Sequence, residues 1–163
     1  MVAVSWNAKK PHSSQILTLA LFVICSAVHA QTAKPVERIY AAPYDSVWKA
    51  VKGAVEDKQF KIVVDKKRDR ILETDVFMEV EGDSVIDGMA PYGEVPFIPS
   101  AYWKWGQTQL KAVVKQIDTV VRVRVFVQLR AFDRHTTNKW EYFPSNGKIE
   151  IDLFDEIEKR LGR

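Results

Sequence analysis

The clearest hydrophobic pattern in the chain is the stretch from Val121 to Arg130. There Val121, Val123, Val125, Val127 and Leu129 alternate with Arg122, Arg124, Phe126, Gln128 and Arg130. A strict period of two over this length means a strand with one buried face. If Asp118-Thr119 is the tip of a hairpin, Val114 falls opposite Val123, Ala112 opposite Val125 and Leu110 opposite Val127, while Lys115, Lys111 and Gln109 face Arg122, Phe126 and Gln128. Both strands then bury the same face. A slip of one residue would turn every valine to water, so the apolar alternation pins this register more firmly than the turn residues do.

Other segments carry weaker versions of the same signals. Val36 to Ala41 predicts a short strand. Pro43 is placed for the first turn of a helix with Asp45 and Ser46, and Val47, Trp48, Val51, Ala54 and Val55 recur at spacings of three and four. Phe60, Ile62 and Val64 predict one strand, the charged Asp65 to Asp69 a turn, and Arg70 to Val80 a second, continuous strand. Trp140 to Phe143 predicts a short edge strand. Pro144-Ser145-Asn146-Gly147 breaks the chain, and Ile149, Leu153, Phe154, Ile157 and Leu161 mark a final amphipathic helix capped by Ser145 or Asn146. The order strand, helix, strands, helix, with one apolar sheet face, predicts an α+β fold of two layers. An antiparallel sheet carries its helices on one face.

The first thirty residues change the picture of where this domain works. Lys9 and Lys10 precede an apolar run from Ile16 to Ile24 broken only by Thr18, and Val28-His29-Ala30 places small residues for cleavage before Gln31. Residues 1–30 read as a signal peptide and 31–163 as a single domain, periplasmic or secreted. The apolar run is too short for a transmembrane anchor, which needs about 20 residues. The only cysteine, Cys25, lies in this leader, and the bulky Ile24 before it disfavours a lipid anchor there. Loss of the leader would leave no thiol, so packing alone must hold the domain.

The full chain has 24 basic and 21 acidic residues, and removing Lys9 and Lys10 leaves 22 against 21. That balance argues against a nucleic-acid partner, whose affinity comes mostly from phosphate neutralisation. No catalytic constellation emerges. His135, the one histidine after the leader, sits in a polar turn, and proximity to Asp133 does not supply a positioned nucleophile. No phosphate-binding glycine loop, nucleophile elbow or paired-histidine zinc motif occurs, and Glu79, Glu81, Asp83 and Asp87 match no calcium loop. The expectation is a non-enzymatic protein with no catalytic residue, metal or cofactor.

The segment from Gly82 to Ala101 gathers Ile86, Met89, Tyr92, Val95, Phe97 and Ile98 among glycines and prolines, and Tyr102, Trp103 and Trp105 extend it. It predicts either a satellite core folded over the sheet or a partner-binding surface formed by Tyr92, Phe97, Trp103 and Trp105. Arg122, Arg124 and Arg130, with Lys111 and Lys115 beside them, form a solvated sheet face or a docking face for an acidic partner or anionic headgroups.

The stretch Ala42-Pro43-Tyr44-Asp45-Ser46-Val47-Trp48, the start Phe60-Lys61-Ile62 and the lead Pro144-Ser145-Asn146-Gly147 resemble the helix-grip domains of BamC-like (NlpB-like) envelope lipoproteins, accessory parts of the outer-membrane β-barrel assembly machine. That family carries a lipobox cysteine, which Cys25 does not reproduce. The resemblance implies an envelope interaction or assembly-accessory module with a protein partner. The Pro43 to Trp48 opening also resembles START-like domains, which implies the alternative of a small hydrophobic ligand held between the sheet and the last helix.

Overall fold

The computed structural model describes residues 35–163, apart from the side chains of residues 78–80 and 83, so the predicted leader and Cys25 lie outside the described residues. The chain runs β1 (Val36–Tyr40), α1 (Tyr44–Asp57), β2 (Ile62–Lys66), β3 (Ile71–Thr74), β4 (Phe77–Glu81), α2 (Val85–Met89), β5 (Trp103–Ile117), β6 (Val120–Asp133), β7 (Lys139–Pro144) and α3 (Lys148–Arg160). The fold is α+β. Its seven strands form one sheet around the β5–β6 hairpin, with β1 and β7 on the far side of β6 and β3 and β4 on the far side of β5; β2 adds to β3. All named pairings are antiparallel.

The β5–β6 register matches the one the alternation dictates, with Leu110 opposite Val127, Ala112 opposite Val125 and Val114 opposite Val123. These residues are fully or almost fully buried, with Val121, Leu129 and Ala131. One side of the hairpin is therefore core along its length. Near the hairpin tip this side lies under α1 and α3, whose Val47, Val51, Val55, Leu153, Phe154 and Ile157 fill the space above the valines. Beyond it, α2 and the segment after it cover β4 and β5 with Val85 and Met89.

Two boundaries differ from the sequence expectation. The strand predicted from Arg70 to Val80 is divided at Asp75-Val76 into β3 and β4. The Asp75 carboxylate accepts the Val76 amide at 2.8 Å, and the Asp75 amide donates to Lys61 O at 2.7 Å. At the departure point the buried Thr74 hydroxyl takes over the ladder, accepting from Leu110 N at 3.0 Å and donating to Leu110 O at 3.3 Å. At α3, the cap position belongs to Gly147 in a left-handed conformation, φ 90°. Asn146 and Ser145 act one step earlier: Asn146 Oδ1 accepts from Lys148 N at 3.0 Å and Ser145 Oγ from Gly147 N at 3.1 Å. Tyr44, not Pro43, opens α1, with Pro43 at its cap.

Ion pairs tie the layers at their rim. Arg38 on β1 reaches Glu158 and Asp155 on α3 at 2.7 and 3.3 Å, Lys52 on α1 meets Asp65 on β2 at 2.7 Å, and Arg160 on α3 pairs with Asp57 at the end of α1. Such exposed pairs orient elements more than they stabilise them. Among the described residues no helix is long and apolar enough to cross a membrane.

Candidate functional site

The segment 82–101 is mostly a satellite core. Val85 and Met89 are fully buried, and Tyr92, Val95, Ile98 and Ala101 pack against the core from partly buried positions. Gly93 bridges to Ser145, and Asn146 holds the same stretch through Tyr92 O at 2.8 Å and Pro91 O at 2.9 Å. Phe97 stands apart, 92% exposed. The four aromatic residues singled out in the sequence therefore do not form one surface. Trp103 is 6% exposed and belongs to the core, Tyr92 is half-buried against it, and Trp105 turns to the opposite face of the sheet.

Among the described residues no helix lies over that opposite face. At the end of the hairpin flanked by β4 and β7, Trp105, Phe132 and Trp140 meet on it. Ring centroids lie 5.4 Å apart for Trp105–Phe132 and Phe132–Trp140, and 6.4 Å for the near-parallel Trp105–Trp140. The cause is register: Phe132 stands opposite both Trp105 and Trp140, so three aromatic residues from three strands share one row. Arg130 stands in the next row, opposite Gln107 and Tyr142. Its guanidinium lies 4.6 Å from the Trp140 ring centre and 6.0 Å from that of Tyr142, with Nε donating to Gln107 Oε1 at 2.8 Å and Nη1 to the Tyr142 hydroxyl at 3.3 Å. At the other end Lys104 Nζ sits 3.8 Å over the Trp105 ring, while Trp105 Nε1 donates to Glu81 at 3.1 Å. The result is a ladder of cations and rings running across the strands. Arg130 has no carboxylate partner among the described residues.

The half of the face nearer the hairpin tip carries the basic row. Arg124 pairs with Glu37 at 2.7 Å, which holds that carboxyl below its usual range, and Lys111 pairs with Glu73 at 2.7 Å. Arg122 stands opposite Lys115, and its Nε is buried without a hydrogen-bond partner. Sheet pairing thus brings Arg122, Arg124, Arg130 and Trp105 onto one continuous surface. Those four are legible as candidates in the sequence, whereas Phe132, and the Trp140, Tyr142 and Gln107 side chains that hold Arg130, are not. Once the β6–β7 register is known, their common face follows from the period of two.

His135 stacks on Tyr102 at 5.1 Å between ring centres. The neighbouring Asp133 carboxylate is fully buried and occupied by backbone amides, those of Tyr102, His135, Thr136 and Thr137. Burial alone would raise its pKa, but these amides outweigh that and hold it at about 2. An acceptor so saturated fixes a turn and has no lone pair free to orient an imidazole. Among the described residues no group of three or more His, Cys, Asp or Glu side chains is arranged to hold a metal ion. The chain matches no protein-family model and no curated protein.

Proposed function

We propose that this protein is an exported, non-catalytic envelope module that binds a protein partner through the uncovered face of its sheet. The observation that carries this reading is the cluster of Trp105, Phe132, Trp140 and Arg130 on a face that no helix of the described residues covers. Tryptophan, tyrosine and arginine held in fixed positions concentrate binding energy at protein interfaces, because little side-chain freedom remains to be lost on association. Export rests on the leader at 1–30, and the resemblance to BamC-like helix-grip domains supports an envelope interaction role. The alternative of a hydrophobic-ligand carrier draws less support, since Phe154, Leu153, Ile157 and Trp48 pack the space between sheet and helices.

The test is site-resolved cross-linking in envelope preparations, with a photoreactive residue at Gln128 on the uncovered face or at Lys49 on α1. The expected outcome is a cross-linked protein from position 128 and none from position 49. Cross-links only from position 49, or lipid co-purifying with the mature protein in native mass spectrometry, would overturn the reading.

A further inference from the structure

The uncovered face holds one guanidinium, that of Arg130, in a fixed setting. Arg130 lies against the rings of Trp140 and Tyr142 and is held at its own nitrogens by Gln107 and Tyr142, yet no carboxylate balances it among the described residues. A guanidinium on a flexible surface side chain would lose rotamer freedom on meeting an anion. Here most of that loss has already been incurred in folding, which leaves the remaining N–H groups of the planar fork to meet a carboxylate. Along the same strand Arg122 has an unsatisfied Nε, and Lys115 opposite it has no acid partner among the described residues. Of the acids on this face, Glu37 and Glu73 are already engaged by Arg124 and Lys111, and Glu81 accepts from Trp105 Nε1. The face is thus positive in excess although the domain is almost balanced in charge, and its excess lies in a line along β6.

We propose that this face receives an acidic segment of the partner protein, with one of its carboxylates seated on Arg130 and further acids along Arg122 and Lys115. The inference rests on the reading of the face as the binding surface and names the chemistry of what binds. Two observations favour an acidic polypeptide over a glycan or a nucleic acid. Trp140 carries Arg130 over its ring and Trp105 carries Lys104, so a sugar or base that had to lie flat there would displace a cation. The combination of tryptophan, tyrosine and arginine around one unbalanced fork is that of a protein interface hot spot.

The test uses the mature protein and three labelled probes in fluorescence anisotropy across a salt series: poly-L-glutamate of about twenty residues, the polyuronate alginate, and a thymidine oligonucleotide. The expected result is that poly-L-glutamate binds most tightly and weakens with added salt, as charges on an open face should over a Debye length of about 10 Å at 0.1 M. Arg130→Lys keeps the charge and loses the fork, and should weaken binding about tenfold or more. Tyr142→Phe should weaken it less, and Arg134→Gln in the β6–β7 turn should not change it. Equal binding by wild type and by an Arg130→Lys variant with an unchanged melt would overturn the receptor. Tighter binding of alginate or the oligonucleotide, lost on Arg130→Lys, would overturn the acidic polypeptide while leaving the uncovered face as the binding surface. No binding of any probe, together with cross-links only from Lys49, would remove both.

Discussion

The carboxylate of Asp133 accepts the backbone amide of Tyr102 at 3.0 Å, joining the last residue of β6 to the residue before β5. The same carboxylate takes the amides of His135, Thr136 and Thr137, so one buried acid shapes the β6–β7 turn and closes the open end of the hairpin. With a pKa of about 2 against about 3.9 in an unfolded chain, it contributes stability that is full above the unfolded value and declines as pH falls from there towards 2. Asp133→Asn sets an NH2 group against amide donors and should cost about 1.5–3 kcal/mol in urea melts at neutral pH. It should also flatten the loss of stability on the acid side. An unchanged acid limb would show that another group carries it.

Glu150 has the opposite sign. It is 1% exposed in the first turn of α3, and burial raises its pKa against the hydrogen bond from Ser145 Oγ at 2.8 Å. A carboxyl that holds its proton more tightly when folded costs nothing below its unfolded pKa and destabilises progressively as pH rises through the folded value. Glu150→Gln, which can still accept from Ser145, should melt higher than wild type at pH 7 and equal it near pH 4. A lower melt at pH 7 would show that the ionised carboxylate is the stabilising form.

Leu153→Ala should cost about 2–5 kcal/mol, because the side chain is buried between α3 and the valine face and the helix cannot collapse into the void. Urea melts without a loss would contradict the layer arrangement.

Gly93 sits where a Cβ would lie 2.5 Å from Pro144 O and 2.7 Å from Leu129 Cδ1. Gly93→Ala should loosen the bridge to Ser145 and cost about 1–3 kcal/mol, since the backbone carbonyl cannot yield as a side chain would. Faster amide exchange at Asn146, whose N–H bonds to Tyr92 O, should accompany it.

Phe97 and Trp103 should separate completely. Phe97→Ala removes an exposed ring and should change the melt by less than about 0.5 kcal/mol. Trp103→Ala should cost about 3–5 kcal/mol. Similar melts for the two variants would mean that Trp103 is not part of the core.

The fold was legible wherever a side chain had one role. Val121 to Leu129 determine their strand, their buried face and their register together, and α1 and α3 follow from apolar spacing in the same way. The break at Asp75 was not legible, because Leu72, Thr74, Val76 and Met78 alternate without interruption and only the Thr74–Leu110 hydrogen bonds reveal where β3 leaves β5. The candidate surface was legible in part. Arg122, Arg124 and Arg130 share a face by simple alternation. The aromatic partners divide between two faces because Trp103 and Trp105 straddle a register shift in β5 and Phe97 sits on a loop with no period. Tertiary pairing with β7, which brings Trp140 and Tyr142 to Arg130, has no local signature.

The position of the β5–β6 hairpin at the centre of the sheet bears on how the domain assembles. Its strands meet across a tip of two residues, Asp118 and Thr119, so this pairing closes almost no loop. By contrast the pairing of β1 with β6 closes a loop that contains most of the chain between them, with Val36 beside Val125. Loop-closure cost favours the order hairpin first, β7 and the β3–β4 flank next, and β1 with α3 last. The first and last parts of the domain, held to each other through Arg38 and Glu158, are then the latest to form and the first to open. By that ordering folding should begin at the middle of the molecule and end at its rim.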